Sequence, residues 1–495
     1  MADGWQFWID RGGTFTDLVG RSPDGDLVVR KVLSQRAGDA AAAAADPVLA
    51  ALREVLGLAP GDALPPGRIA AGTTVATNAL LEHRAEPVLL LLNRGFADLP
   101  SIGDQHRPDL FALRIETPRP LEVRVIEVEG RLATDGSELE PLGLTDDLAD
   151  RVRQALADGY CNCAVALLHS YRQPAHERRL GAWLAELGVD PVVLSHAVSR
   201  QPRLVPRCAT TVVEAAVQPV LRRYLGALER ALGPHTQLRV MTSSGALQAP
   251  AQLLAKDTIL SGPAGGMVGA VAVARAAGLD GAPIVGFDMG GTSTDVFHFD
   301  ASRGEGAWER SSETEIVGLR LQAPMLPIHT VAAGGGSVLH ADGGRLQVGP
   351  HSAGADPGPA CYGNGGPLTV TDANVLLGRL PVAALPGVFG PGGDQPADRA
   401  LVEEGFQRLV LALTSQPLGP EALAQGALEI AIERMAEAIR RISIQRGHDI
   451  RQAVLVSYGG AGGQHACRLA DRLGLRSVLL HPLAGVLSAY GIGLA

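Results

Sequence analysis

Aromatic residues make up only 4% of this 495-residue chain, and cysteine occurs five times. The cysteines (Cys161, Cys163, Cys208, Cys361, Cys467) are odd in number and scattered, with no Cys-x-x-Cys. Neither a disulfide framework nor a structural zinc site is indicated, and a reducing cytoplasm is the expected location. Positive charge is also short: 43 Lys and Arg against 52 Asp and Glu give a net charge of -9, with no basic stripe to interrupt it. That balance argues against nucleic acid as a partner. No uncharged apolar run reaches the length of a membrane span, and residues 5–9 begin without a basic segment leading into a long apolar one, so neither secretion nor membrane insertion is expected. Gly-x-x-x-x-Gly-Lys-Ser/Thr is absent as well, which excludes a P-loop.

What is present is a long, Ala- and Gly-rich globular chain, 46% hydrophobic, with 61 Gly and 33 Pro. It is long enough for two or three domains. One octet occurs twice: Asp-Arg-Gly-Gly-Thr-Phe-Thr-Asp at residues 10–17 and Asp-Met-Gly-Gly-Thr-Ser-Thr-Asp at residues 288–295, identical at six of eight positions. Each lies between short apolar runs, so each reads as a β-hairpin with glycines at its turn. Adjacent glycines let backbone N–H groups approach an anion, threonines add donors, and a strand-end aspartate can hold a metal that neutralises phosphate. A single Gly-Gly hairpin would be unremarkable, but two matching copies suggest related half-structures closing on one ligand.

Between the octets the chain alternates strands and helices, an α/β pattern. Residues 27–33 alternate as a strand, 39–58 read as a helix ended by Gly57, and 75–84 form a helix preceded by Gly72, Thr73 and Thr74. Such a helix start attracts anions, although an ordinary threonine cap explains it equally. His106, Arg107 and Asp109 crowd a loop beside Pro108. Pro202 and Pro206 mark an expected domain boundary at 205/206, followed by a helix over 211–232. After residue 263, Gly265, Gly266 and Gly269 share a helix and permit close approach of another backbone or of ligand. His329 precedes the triple glycine 334–336, and a helix is expected over 426–446. Finally, a strand at 454–458 enters Gly459-Gly460-Ala461-Gly462-Gly463 and a further helix. This is a nucleotide-binding arrangement, but its spacing is not the Rossmann Gly-x-Gly-x-x-Gly.

The paired octets resemble the two phosphate loops of the actin-like ATPase superfamily, in which two RNase H-like domains clamp a magnesium nucleotide in the cleft between them. The segments 68–82, 106–111, 329–337 and 352–362 narrow the resemblance to the ATP-binding half of the hydantoinase/5-oxoprolinase family, across the whole chain. Asp-Arg-Gly-Gly at 10–13 and Arg-Pro-Asp-Leu-Phe at 107–111 look closer to its 5-oxoprolinase branch. The resemblance implies an N-terminal domain at 1–205 and a second at 206–495. It implies that Asp10 and Asp288 hold Mg2+, directly or through water, and that these two aspartates with Thr14 and Thr292 are the catalytic set. Gly12, Gly13, Thr14 and Thr16, with Gly290, Gly291, Thr292 and Thr294, would cradle the phosphates of ATP, while Asp17 and Asp295 brace the hairpins. Gly334, Gly335 and Gly336 join that ATP site, and Gly459, Gly460, Gly462 and Gly463 would receive the adenosine. Thr73, Thr74, Thr77 and Asn78 become substrate contacts. A substrate carboxylate would call for an arginine, and Arg11 and Arg107 are the candidates.

The implied activity is ATP-dependent opening of a cyclic amide, most simply 5-oxoproline to glutamate, by phosphorylation of the amide oxygen. An ATP-dependent hydantoinase, a ketone carboxylase subunit, a small-molecule kinase and an actin-like protein whose nucleotide only gates a partner are the alternatives. In the family, hydrolysis belongs to a B-type subunit or a C-terminal half, and nothing here resembles it. The apolar segment 479–495 reads either as a buried terminal helix or as a seam left where a further domain begins, and the family comparison leads us to expect a fragment and an oligomer.

Overall fold

A computed structural model describes residues 4–12, 15–34, 46–59, 62–105, 111, 113, 121–279, 281–316, 318–413 and 418–495. The chain is mixed α/β and divides into two compact units, each discontinuous in sequence. The first comprises Met1–Pro60, Gly262–Glu309 and Pro327–Ala495; the second comprises Gly61–Ser261 and Arg310–Leu326. This spatial partition differs from a division of the sequence at 205/206, and it places both octets in the first unit.

In the first unit, strands Trp5–Arg11, Phe15–Arg21 and Leu27–Leu33 run antiparallel in chain order. A second, five-stranded sheet has the order His329–Val331, Thr294–Phe299, Ile284–Met289, Val454–Tyr458, Ser477–Leu479. Its first three strands are antiparallel, and Val454–Tyr458 and Ser477–Leu479 add in parallel. Each octet is a hairpin, as its apolar flanks and glycine turn predict. Helices Val370–Leu376, Arg399–Ala412, Pro420–Ile442 and Ala466–Leu473 bury Val402, Phe406, Leu428 and Leu469 in one core with Val285 and Phe287 of the second sheet.

The second unit has a parallel sheet of order Val192–Leu194, Asn162–Ala166, Val88–Asn93, Val123–Val128. Strand Val88–Asn93 is buried at every position, the continuous apolar run expected of a sheet covered on both faces. Gly67–Thr73 and Thr236–Met241 also pair in parallel.

Helix boundaries moved from their expected places for identifiable reasons. The helix anticipated at 39–58 is described as Pro47–Leu56, where Asp46 Oδ1 accepts from Val48 N at 2.9 Å and Pro47 occupies the first turn; residues 39–45 lie outside the described residues. Gly57 ends it in the left-handed conformation, φ 67°. The helix expected at 211–232 begins at Leu204, because Pro206 falls in its first turn, where the missing N–H has no intrahelical partner to lose. The helix expected at 75–84 is Val75–Leu81, and that expected at 426–446 is Pro420–Ile442 with a 3-10 turn to Arg446. Among the described residues no helix is long and apolar enough to cross a membrane.

Candidate nucleotide site

The two hairpins share one register. Asp10 pairs with Asp17 across the first hairpin and Asp288 with Asp295 across the second. Both turns close through equivalent bonds, Gly12 N to Phe15 O at 2.9 Å and Gly290 N to Ser293 O at 3.0 Å. A third strand extends each row, Lys31 opposite Asp17 and Thr330 opposite Asp295. Lys31 Nζ donates to Asp17 Oδ1 and Thr330 Oγ1 to Asp295 Oδ1, each at 2.5 Å. Directly paired residues point to the same face, so the first sheet carries the row Asp10, Asp17, Lys31. The second carries Tyr458, Asp288, Asp295, Thr330, since Tyr458 pairs with Asp288.

Crowding carboxylates in one row has an electrostatic consequence. Burial pushes the Asp10 carboxyl up to about 7, with Asp17 and then Asp295 adding to the rise and Lys31 opposing it. Burial and the neighbours Asp295, Asp10 and Asp17 hold Asp288 well above the usual carboxylate range. Burial lifts Asp295 to about 6 against the Thr330 hydrogen bond, and raises Asp17 against the Lys31 ion pair. Groups this perturbed, brought together from distant sequence, are what a site built to receive a cation needs.

Glycine backbone covers both leading aspartates. A Cβ on Gly262 would lie 2.9 Å from Asp10 Oδ1, and one on Gly459 would lie 2.3 Å from Asp288 Oδ1. Gly459 has φ +81°, and Ala461 N donates to Met289 O at 2.9 Å, which lays the glycine run against the second octet. Gly460 faces open space, Gly463 nearly so, and Gly462 packs near Ser457 Oγ. Gly291 and Thr292 are exposed at the hairpin tip. Gly13 and Thr14 lie outside the described residues.

Several expected phosphate contacts are occupied by protein. Thr16 and Thr294 are fully buried. Ser34 Oγ donates to Gly12 O at 2.7 Å, so the Thr16 hydroxyl donates to Ser34 at 3.0 Å, while Thr294 Oγ1 donates to Ala333 O. Both threonines tie their hairpin to the segment after its third strand. The triple glycine is likewise engaged: Gly334 N donates to Ser337 Oγ at 2.9 Å, Gly335 N to Gly290 O at 3.1 Å and Gly336 N to Gly291 O at 2.6 Å. Instead of presenting free N–H groups to phosphate, it shapes the second turn. His329 pairs with Val296, one position from Thr330, so alternation puts it on the face away from the acidic row. Gly265 and Gly269 also serve packing, since a Cβ on Gly269 would lie 2.6 Å from Leu487 O and one on Gly491 2.0 Å from Gly265 O.

Arg11 Nη1 binds Asp46 Oδ2 at 3.1 Å, both side chains being largely covered, so the cap of the following helix engages the cation offered to a substrate carboxylate. Arg107 lies outside the described residues, as do His106 and Asp109. In the second unit, Thr73 Oγ1 accepts from Val75 N at 3.2 Å, and Ser261 Oγ donates to Thr73 O at 3.1 Å. Asn78 Nδ2 donates to Thr74 Oγ1 at 3.4 Å, and Thr77 Oγ1 is buried with no partner among the described residues. Sequence reasoning missed Lys31, Tyr458, Gly262 and Ser34. Finding Lys31 needs the register across the turn after Phe15–Arg21, which alternation alone does not give.

Two family models match the chain, the hydantoinase/oxoprolinase N-terminal region over residues 6–188 and hydantoinase/oxoprolinase over residues 207–495. The chain is 40% identical to 5-oxoprolinase PfmaA of Pestalotiopsis fici and 39% identical to 5-oxoprolinase 1 of Arabidopsis thaliana. These alignments cover 98% and 99% of this chain but 40% and 41% of those proteins. The crystal structure of an ATP-dependent caprolactamase from Pseudomonas jessenii superposes with a TM-score of 0.77 at 33% identity, covering 98% of this chain and 70% of that one. The chain thus spans about 40% of the length of the curated 5-oxoprolinases it matches. With both family models matched in order and identity sustained across almost every residue, the chain belongs to the hydantoinase/oxoprolinase family.

Proposed function

We propose that this chain is the ATP-using part of a cyclic amide hydrolase, with an actin-like arrangement of two hairpin-centred halves around a magnesium nucleotide. The observation that carries the reading is the pair of matched carboxylate rows, each holding a half-buried, glycine-covered aspartate. Magnesium usually keeps several waters and takes one or two protein carboxylates together with phosphate oxygens. The residues present fit that habit. Asp10 Oδ1 is buried without a hydrogen-bond partner among the described residues, and among them no group of three or more His, Cys, Asp or Glu is arranged to hold a metal alone. Asp10 and Asp288 would hold the ion, which when bound neutralises phosphate charge. Gly12, Gly291 and Thr292 would meet the phosphates, and Gly459, Gly460 and Gly463 the adenosine.

A five-membered lactam resists hydrolysis because nitrogen donates into the carbonyl. The same donation makes its oxygen the nucleophile. That oxygen attacks the γ-phosphorus, an O–P bond forms as the bond to ADP breaks, and loss of the N–H proton leaves a phosphorylated imidate whose ring nitrogen is uncharged. Water adding at its carbon gives a tetrahedral adduct whose C–N bond breaks as the nitrogen takes up a proton, opening the ring to an acyl phosphate, and a second water then releases phosphate from that acyl group. The chain's part is positioning and charge neutralisation; hydrolysis falls to a B-type subunit or to the portion of the relatives that this chain does not span.

The relatives favour 5-oxoproline as substrate. The Arg11–Asp46 pair supports a second reading, a lactam without a carboxylate, because it engages one of the two candidate cations. Phosphate release by the chain together with its hydrolytic half, compared across 5-oxoproline, its uncharged amide, hydantoin and acetone, separates them. Stimulation by 5-oxoproline alone is expected. Equal use of the uncharged amides would replace it with the second reading, and a stable phosphorylated product would make the protein a kinase.

A further inference from the structure

Only two lysines, Lys31 and Lys256, occur among the 43 Lys and Arg residues of this chain. Lys256 is buried and bound to Asp257 in the second unit. Lys31 ends the first carboxylate row, and its charge opposes the rise of Asp10, Asp17 and Asp288 alike. An ammonium has three donors. One reaches Asp17 at 2.5 Å, a second reaches Gly485 O at 3.3 Å, and the third has no partner among the described residues. Nζ also lies over the Phe15 ring, 5.2 Å from its centroid, and the side chain is 40% exposed. The ammonium is therefore anchored by Asp17 and Gly485 while the side chain stays partly open to solvent. In the second row the corresponding place is taken by the neutral Thr330.

We propose that Lys31 is a phosphate-contacting residue: its third donor binds the terminal phosphates of the nucleotide from the first-hairpin side. This rests on the nucleotide reading above. Charge placement favours it, because a row of like charges is destabilising until a cation or ligand offsets it, and a single compact ammonium can serve Asp17 and a phosphate oxygen together. In a chain with one other lysine, this position has lysine, and a rotatable point charge on a flexible stem suits a ligand that arrives and leaves better than a planar fork does.

The rival role is structural, with Lys31 serving only as counter-ion to Asp17. A double-mutant cycle separates them. MgATP and adenosine are titrated calorimetrically into the wild type, Lys31→Met, Asp17→Asn and the double variant, with thermal midpoints in parallel. A phosphate contact predicts that Lys31→Met weakens MgATP binding by roughly tenfold or more, leaves adenosine affinity unchanged, and has the same effect in the Asp17→Asn background. Restoration of MgATP affinity by Asp17→Asn, an unchanged MgATP affinity, or a parallel fall for adenosine would overturn the proposal. If Lys31→Met alone does not fold, the double variant against Asp17→Asn, both free of the unpaired carboxylate, makes the same comparison. Failure of the wild type to bind MgATP would count instead against the nucleotide reading.

Discussion

His465 sits at the end of the glycine run, 1% exposed, with Nε2 against Asn374 Nδ2 at 3.3 Å. Burial, with Arg379 and Arg468 nearby, depresses its pKa from the ordinary 6.5 to about 4. The folded protein therefore keeps the ring neutral while the unfolded chain binds a proton. This stability is fully present above pH 6.5 and is lost as pH falls towards 4, about 3 kcal/mol by linkage. Urea midpoints measured from pH 7.5 to 4 should fall more steeply for the wild type than for His465→Gln; parallel curves would show that His465 does not set this slope. The Arg11–Asp46 pair yields a second expectation at this scale. Asp46→Ala removes a helix cap as well as an ion-pair partner and should cost about 1 kcal/mol of stability, read as a lower thermal midpoint, while MgATP affinity stays within twofold.

Glycines separate by what surrounds them at the level of hairpins and helices. Gly459→Ala must adopt φ +81° and push a methyl into Asp288 Oδ1, 2.3 Å from its ideal position, and Met289 O, 2.5 Å away. Left-handed strain of about 1–2 kcal/mol and overpacking of about 1–3 kcal/mol should combine to lower the thermal midpoint and abolish MgATP binding. Gly460→Ala, with nothing within 4 Å, should leave the midpoint nearly unchanged. Similar losses for both would refute the local account. The hairpins themselves were legible because turn glycines and flanking alternation are local signals. The protein partners of Thr16, Thr294 and Gly334–Gly336, among them Ser34, Ala333 and the carbonyls of Gly290 and Gly291, were not legible because they are brought in by third strands whose register no local pattern gives. The same blindness hid Lys31. The fourteen residues separating it from Asp17 disappear only once the turn joining the two strands is known. Helix ends were misplaced where a proline lay within a first turn, a place that tolerates it.

For the molecule as a whole, the repeated octet specifies more than two local turns. It goes with two carboxylate rows whose aspartates share one electrostatic environment, although the copies are 278 residues apart, from Asp10 to Asp288. On the reading proposed above, the chain alone binds MgATP, and phosphate release with a cyclic amide rises when a B-type subunit or the portion of the relatives that it does not span is added; equal release without that addition would contradict the reading. The central claim is that Asp10 and Asp288 receive the magnesium nucleotide, and calorimetry of ATP binding with and without Mg2+ tests it most directly. The account predicts binding that requires Mg2+ and falls at least roughly tenfold in either Asp10→Asn or Asp288→Asn. Binding of ATP that is indifferent to Mg2+, or an affinity unchanged in both variants, would contradict it.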